Sequence, residues 1–193
     1  MHRFFLSFSK VMALLGGLVL TILILLIVTS ILGRTLNSVL HTGFAQMILG
    51  GSAQSLIDMG LGPVNGDYEL VEAGIAFSIF AFLPLTQISG AHANVDIFTN
   101  GLSDRKQAIL KAVIEILFAG VLVAIAVQLN QGMWDKMDRG QTTFLLQFPV
   151  WWAYGFSLIG AASAAIVGVY VAFARVMHVV TGTMTIIDEG ADH

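Results

Sequence analysis

Residues 11–33 read VMALLGGLVLTILILLIVTSILG, a stretch without a single charged side chain. A helix rises 1.5 Å per residue, so about 20 apolar residues cross the roughly 30 Å of hydrocarbon in a bilayer. This stretch is therefore predicted to be a membrane-spanning helix. Three other apolar stretches are long enough to do the same, at about 70–89, 108–129 and 150–174.

The composition agrees with a membrane location. Of the 193 residues, 56% are apolar and 11% are charged, and the mean hydropathy is +0.85. Soluble domains carry about 25% charged residues, so this chain has too little charge to cover a surface in water. We predict an all-α integral membrane protein in which residues 1–193 form one domain, a bundle of four transmembrane helices with short interfacial helices.

The same numbers exclude several functions. The net charge is −3 and the sequence has no basic run, so nucleic acid is not an expected partner. The chain has no cysteine, which excludes disulfides, thiol catalysis and iron–sulfur clusters. No catalytic residue, cofactor or metal site is predicted, and the chain is not expected to be an enzyme.

The N-terminal residues allow two readings of the first span. A cleaved secretory signal with Arg3 and Lys10 as its positive flank is disfavoured, because such signals have an apolar core of about 7–15 residues followed by a small-x-small site. We therefore predict an uncleaved span. Phe4, Phe5 and Phe8 precede it, and we expect them to form a short helix lying in the membrane interface.

The distribution of basic residues predicts the orientation, because Lys and Arg accumulate on the cytoplasmic side of membrane proteins. Six flank the spans on the side of the termini: Arg3, Lys10, Arg105, Lys106, Lys111 and Arg175. Three lie on the opposite side: Arg34, Lys136 and Arg139. Both termini are therefore predicted to be cytoplasmic.

Two outer loops follow from this orientation. The first, 34–69, is long and apolar. Its part 43–57 is too short and too interrupted by glycines to span, so we expect one or two interfacial helices there. The second outer loop is predicted over 131–148, where charged residues follow the third apolar stretch.

Span four opens with residues that favour a helix start at the headgroup level. Pro149 suits the first position of a helix because it lacks an N–H, and Trp151 and Tyr154 carry rings that prefer the membrane interface. Small residues recur at every fourth position further along, on one face where another backbone can approach closely: Gly160, Ala164 and Gly168.

Charged side chains lie near the ends of the predicted spans. Glu69 and Glu72 open span two, where the helix dipole favours a carboxylate, and Lys111 and Glu115 are four apart and can pair. If spans one and two form a hairpin, Arg34 comes level with Glu69 and Glu72 and can pair with one of them. An ion or proton pathway requires charges at mid-membrane depth, so these residues favour stabilised helix ends and interfaces.

Histidines and prolines also argue for structure rather than chemistry. The five histidines lie outside the predicted spans or at their edges, whereas axial haem ligands would have to lie within helices. Pro84 is expected to bend span two. Since no other span has a matching break, a structural kink is favoured over a transporter's substrate site.

The segments that connect the spans resemble those of one family. Arg34 closes span one, Glu69 and Glu72 open span two, and two motifs follow: His92-Ala93-Asn94-Val95-Asp96 and Pro149-Val150-Trp151-Trp152-Ala153-Tyr154. In this order they resemble the small membrane subunit (DctQ-like, or Q) of tripartite ATP-independent periplasmic (TRAP) transporters, over about residues 10–175. The joint order and spacing of the motifs carry the resemblance.

The resemblance implies a division of labour in the bacterial cytoplasmic (inner) membrane. A large TRAP membrane subunit would hold the substrate and sodium sites and move, and a periplasmic substrate-binding protein would deliver an organic acid. This chain, surrounded by membrane lipid, would be a static scaffold. The candidates for structural and interface roles are then Arg34, Glu69, Glu72, His92, Asp96, Trp151, Tyr154, Gly160, Ala164 and Gly168.

Three alternatives stay open on the sequence. A small oligomeric channel or exporter would need polar residues along one face at mid-membrane depth, and the spans contain few. An anchor for a membrane enzyme such as a quinone reductase is disfavoured by the histidine positions. An assembly subunit of another membrane complex is compatible with the sequence.

Overall fold

Four long helices make up most of the described chain. The computed structural model describes residues 2–42, 47, 55, 60, 62–91 and 103–181. The helices are α1 (His2–Leu40), α2 (Asp67–Ser89), α3 (Asp104–Asp138) and α4 (Trp151–Thr181). Each is long and apolar enough to cross a membrane, and these residues include no strand beyond an isolated bridge. The predicted all-α membrane fold is confirmed.

The N-terminal residues belong to α1. One continuous helix begins at His2, so the prediction of a separate interfacial helix at Phe4, Phe5 and Phe8 is wrong. Phe5 stacks on Tyr170 of α4, with ring centroids 4.2 Å apart, and Phe8 packs against the apolar cluster beside it. These contacts hold the first turns of α1 against the bundle.

α3 continues beyond its apolar stretch, to Asp138. The predicted outer loop at 131–148 is therefore wrong over its first half, which is helical. Two contacts support the polar extension. Arg139 Nε donates to Asp135 Oδ1 at 2.9 Å, one turn back, and Gly132 lets the Tyr154 ring lie directly on the α3 backbone.

Some predictions lie outside the described residues. Of the segment 43–57, only Met47 and Ser55 are described, and both are helical. The expected interfacial helices there stay a prediction. His92 and Asp96 also lie outside the described part of the chain, so their roles stay predictions too.

The helices pack side by side in the order α1, α2, α4, α3. α2 lies between α1 and α4, and α4 lies between α2 and α3. α1 has a smaller contact with α4, which includes the Phe5–Tyr170 stack. α4 is consequently the most buried helix, while α1 and α3 are edge helices with wide apolar faces open to lipid or to another subunit.

The small residues of α4 lie where the other helices approach it. A Cβ on Gly160 would stand 2.8 Å from Phe80 Cβ on α2, and one on Gly168 would stand 3.0 Å from Leu122 Cδ1 on α3. Ala164, between them, is fully buried. The small-residue face of α4 that the spacing predicts is therefore the surface on which both α2 and α3 pack.

The bundle has two unlike ends. α1 and α3 run opposite to α2 and α4, because Ser30 near the end of α1 bonds the first residue of α2 and Gly132 near the end of α3 lies on Tyr154 near the start of α4. We call the end with His2 and Thr181 the termini end. The other, which holds the α3–α4 connection 139–150, is the hairpin end.

Candidate functional site

Polar side chains concentrate at the hairpin end, where α2 begins. The buried Ser30 of α1 donates its hydroxyl hydrogen to Asp67 Oδ2 at 2.5 Å and accepts the Val64 N–H at 3.2 Å. Gly33, one turn further along α1, lies against the carbonyl of Gly62 so closely that a Cβ would overlap it. The start of α2 is thus tied to α1 by side-chain and backbone contacts.

Arg34 has a different partner from the one predicted. Its Nη2 atom lies 3.6 Å from Asp67 Oδ2, so the carboxylate beside Arg34 is Asp67 and not Glu69 or Glu72. The reason is geometric. Asp67 is the first residue of α2 and already faces α1 through Ser30, whereas Glu69, two residues on, points to another neighbour.

The α3–α4 connection 139–150 forms a short hairpin. The Val150 N–H donates to the Gln141 carbonyl and the Thr143 N–H to the Phe148 carbonyl, both at 2.9 Å. Gln147 takes a positive φ of 57°, and its side-chain amide donates to the Phe144 carbonyl at 2.9 Å. Backbone and side-chain bonds together define the loop's shape.

Glu69 anchors the tip of this hairpin to α2. Its two carboxylate oxygens accept the backbone N–H groups of Leu145 at 2.6 Å and of Leu146 at 2.9 Å. The Leu146 side chain rests on Gly66, where any Cβ would collide with it, and Gly66 itself takes a positive φ of 75°. Glycine is required at this position for both reasons.

A cavity of about 480 Å³ opens beside the anchored hairpin. It is lined by α2, the hairpin, the start of α4 and one residue of α3, and its wall includes Glu69, Glu72 and Tyr154. The structure therefore brings three of the sequence-predicted residues together around one space. Arg34 lies elsewhere, beside a shallow depression at the end of α1.

The entry to α4 differs by two residues from the predicted one. The helix begins at Trp151, while Pro149 lies in the hairpin, paired with Thr142, and its carbonyl accepts the Trp152 N–H at 3.1 Å. Trp151 meets Trp152 edge to face, with centroids 6.1 Å apart. These rings surround the helix start at the depth of the hairpin.

One polar pair lies inside the bundle. Gln87 of α2 is 2% exposed and Glu115 of α3 is 8% exposed, and the Gln87 side-chain amide donates to Glu115 Oε2. The backbones of α2 and α3 do not pack against each other, so these two side chains bridge the space between them. The pairing of Glu115 with Lys111 stays a prediction, and Gln87 is a partner of Glu115 that the sequence analysis did not predict.

Carboxylates of the described chain make contacts between elements of the bundle. Among the described residues, no group of three or more His, Asp or Glu side chains could hold a metal ion. The carboxylates of Asp67, Glu69 and Glu115 each accept hydrogen bonds from neighbouring groups of the chain. Their contacts join elements of the bundle.

Three residues of these contacts were missed by the sequence reasoning. Ser30 looks like one more small residue in an apolar span, and Gln87 like one polar residue near a span's end. Asp67 lies within the predicted outer loop 34–69. The available signal for Asp67 was its place one residue after Gly66, at the first turn of a helix, where acidic residues are favoured.

Comparison with known proteins agrees with this picture. The family "Tripartite ATP-independent periplasmic transporters, DctQ component" matches residues 23–178. Searches of curated proteins and of solved structures return no match. The matched range takes in about the second half of α1, all of α2 and α3, the hairpin and nearly all of α4. The chain belongs to the DctQ component family of tripartite ATP-independent periplasmic transporters.

Proposed function

We propose that this chain is the small membrane subunit of a sodium-coupled TRAP transporter for organic acids, and that it acts as a static scaffold for the large transport subunit. The family match over residues 23–178 carries the proposal. A periplasmic binding protein would supply the substrate. The membrane is the bacterial cytoplasmic membrane, with both termini on its cytoplasmic side.

The packing of the helices supports a scaffold role. α1 and α3 form the edges of the row, and exposed Leu, Ile, Val and Phe side chains cover their outer faces. A partner subunit can pack on such faces without rearranging the chain. The buried polar pair Gln87–Glu115 is satisfied internally, so it does not present an open pathway for an ion.

Reconstitution tests the division of labour. The chain alone, in liposomes with an inward sodium gradient, should take up no organic acid, whereas the chain with its large subunit and binding protein should. Sodium-driven uptake by the isolated chain would contradict the scaffold role. Copurification of a large multi-span subunit with the tagged chain is the matching test of assembly.

A substitution in the complete transporter separates scaffold from ion site. Arg34→Gln should leave the sodium and substrate dependence of uptake unchanged once uptake is normalised to assembled complex, because Arg34 forms an ion pair with Asp67 where α1 meets the start of α2. A strong shift of the sodium dependence, with normal assembly, would place Arg34 near a sodium site and contradict the proposal.

Orientation is tested with single cysteines, which this cysteine-free chain accepts without background. Ser103, just before α3, and Asp138, its last residue, are both exposed and lie at opposite ends of the same helix. An impermeant thiol reagent added outside spheroplasts should label Asp138→Cys and not Ser103→Cys. The reverse labelling would invert the orientation.

A further inference from the structure

The cavity beside the hairpin has the dimensions and lining of a ligand site. Its volume of about 480 Å³ lies within the roughly 300–1,000 Å³ typical of small-molecule sites, which are mostly apolar with a few placed polar groups. Phe80, Phe148 and Tyr154 contribute rings to its wall. The polar groups are Glu69, Glu72, Thr143, Tyr154 and Ser157.

Four of these polar groups have no hydrogen-bond partner in the described chain. Glu69 holds the hairpin, but the Glu72 carboxylate and the hydroxyls of Thr143, Tyr154 and Ser157 make no hydrogen bond or ion pair with described residues. Ser157 is only 2% exposed. Thr143 Oγ1, also in the cavity wall, is buried without a hydrogen-bond partner. A buried polar group without a partner costs about 1–3 kcal/mol, so its presence against a cavity points to a bound group.

Ser157 is unusual among the hydroxyl side chains of the helices. Ser78, Thr86 and Ser163 each donate to the carbonyl four residues earlier, which is the usual way to satisfy a hydroxyl within a membrane helix. The Ser157 hydroxyl makes no such bond and instead lines the cavity. Its hydrogen-bonding capacity is available to a ligand.

The electrostatics of the cavity favour a cation. Two carboxylates line it, and the lining residues include no Lys, Arg or His. Aromatic ring faces attract ammonium groups. A primary ammonium has three N–H donors, and Glu72, Tyr154 and Ser157 offer acceptors for them.

The surface of α2 next to the cavity is apolar. Ile75 and Ile79 lie three and seven residues after Glu72, on the same helix face, and are 39% and 57% exposed. They form an apolar track that leads from the cavity along the membrane-crossing helix. We propose that the cavity binds the primary ammonium headgroup of an aminophospholipid, with an acyl chain lying on this track.

Lipid exchange tests the proposal. The full chain, purified with any subunit that accompanies it, is placed in bilayer nanodiscs of equal phosphatidylethanolamine and phosphatidylcholine, and retained lipids are counted by native mass spectrometry. We expect about a tenfold preference for phosphatidylethanolamine, since the trimethylated headgroup cannot donate to the three acceptors. Equal retention of the two lipids would overturn the proposal.

Variants assign the preference to the cavity. Glu72→Gln and Ser157→Ala should each reduce it to about twofold or less, while Asp138→Asn, which removes the same charge from an exposed residue outside the cavity, should keep it. Thermal midpoints confirm that each variant is folded. An unchanged preference in folded Glu72→Gln would overturn the proposal.

Coupling with a carbodiimide distinguishes a lipid from a protein amine. The reagent activates a carboxylate, and a primary amine within contact then displaces the activating group to form an amide. Peptides containing Glu72 should carry the ethanolamine headgroup after lipid digestion. A cross-link from Glu72 to a lysine of the large subunit, or no headgroup adduct at all, would overturn the proposal. This outcome is independent of whether the chain supports transport.

Discussion

The interior of the bundle and its hairpin end are held together by different forces. Inside, α2, α3 and α4 meet at Gly160, Ala164 and Gly168, where backbones and small side chains touch. At the hairpin end, Ser30, Asp67 and Glu69 make directed hydrogen bonds across elements. Lipid tails are as apolar as leucine, so the hydrophobic effect does not drive helices together within the membrane and close packing must do so. Near the headgroups, polar contacts define the geometry.

The largest effect is expected from a substitution that disrupts helix packing in the interior of the bundle. Gly160→Leu should destabilise the bundle by about 3 kcal/mol or more, because Phe80 Cβ and the Ala81 backbone nitrogen leave no room for a side chain and α2 would have to move away. The measurement is the fraction of the protein that stays monodisperse after heating in detergent. Gly120→Leu is the control, since nothing lies within 4 Å of a Cβ on Gly120. Equal loss in both variants would show that Gly160 is not a packing site.

The Gln87–Glu115 bridge tests whether a polar pair also stabilises the interior. Gln87→Met or Glu115→Leu alone should cost about 1–3 kcal/mol, since each removes a hydrogen bond between two buried side chains. The double variant should cost clearly less than the sum of the two. Thermal or denaturant unfolding of the unsubstituted protein, the two single variants and the double variant completes the double-mutant cycle. Strict additivity would mean that the two side chains do not act as a pair.

Ser30→Ala tests the polar contacts at the hairpin end. It removes both the donor to Asp67 and the acceptor for Val64 N–H, and we expect the thermal midpoint to fall by about 2–6 °C. Ser38→Ala, at an exposed position of the same helix, should change it little. A thermal midpoint as high as that of the unsubstituted protein would show that the Ser30 hydroxyl does not help to hold α2 in place.

Glu69→Ala should loosen the hairpin while leaving the bundle intact. The amides of Leu145 and Leu146 lose their acceptors, so their hydrogen exchange should accelerate by up to about tenfold. Exchange in α4 should stay unchanged. Asp138→Asn removes a carboxylate that does not hold the tip and serves as control. Unaltered exchange at both amides would show that Glu69 does not anchor the loop.

The smallest effect is expected from Arg34→Gln. The Arg34 side chain is 54% exposed and lies 3.6 Å from Asp67, and exposed ion pairs contribute little because water and salt screen them. The thermal midpoint should fall by less than about 2 °C, and by less still at high salt. A fall larger than that of Ser30→Ala would reverse the order of the two contacts.

Much of the fold could be predicted from local sequence alone. Charge-free runs such as 11–33 identify the membrane helices because hydrocarbon excludes unpaired polar groups. The polar extensions of the helices could not be predicted this way. The turns around Phe5 and Gly132 depend on Tyr170 and Tyr154 of α4, and hydropathy contains no information about those contacts.

The sequence predicts which residue types form the candidate site, but it does not predict which residues they contact. Glu69 and Glu72 are identified as carboxylates at a helix start, yet one anchors a hairpin and the other faces a cavity. Glu69 and Glu72 are three residues apart, which is nearly one helical turn, so they lie on the same face of α2 at different depths. Which neighbour each residue meets depends on how α2 is rotated against α1 and α4.

The amino-acid sequence is sufficient to identify a four-helix membrane protein with a small-residue face on α4, because both properties are periodic and local. The packing of the four helices places α4 between α2 and α3, brings Asp67 rather than Glu69 to Arg34, and brings Gln87 to Glu115. These are contacts between residues far apart in the chain. They depend on the rotation and depth of each helix, which the packing of all four helices determines together.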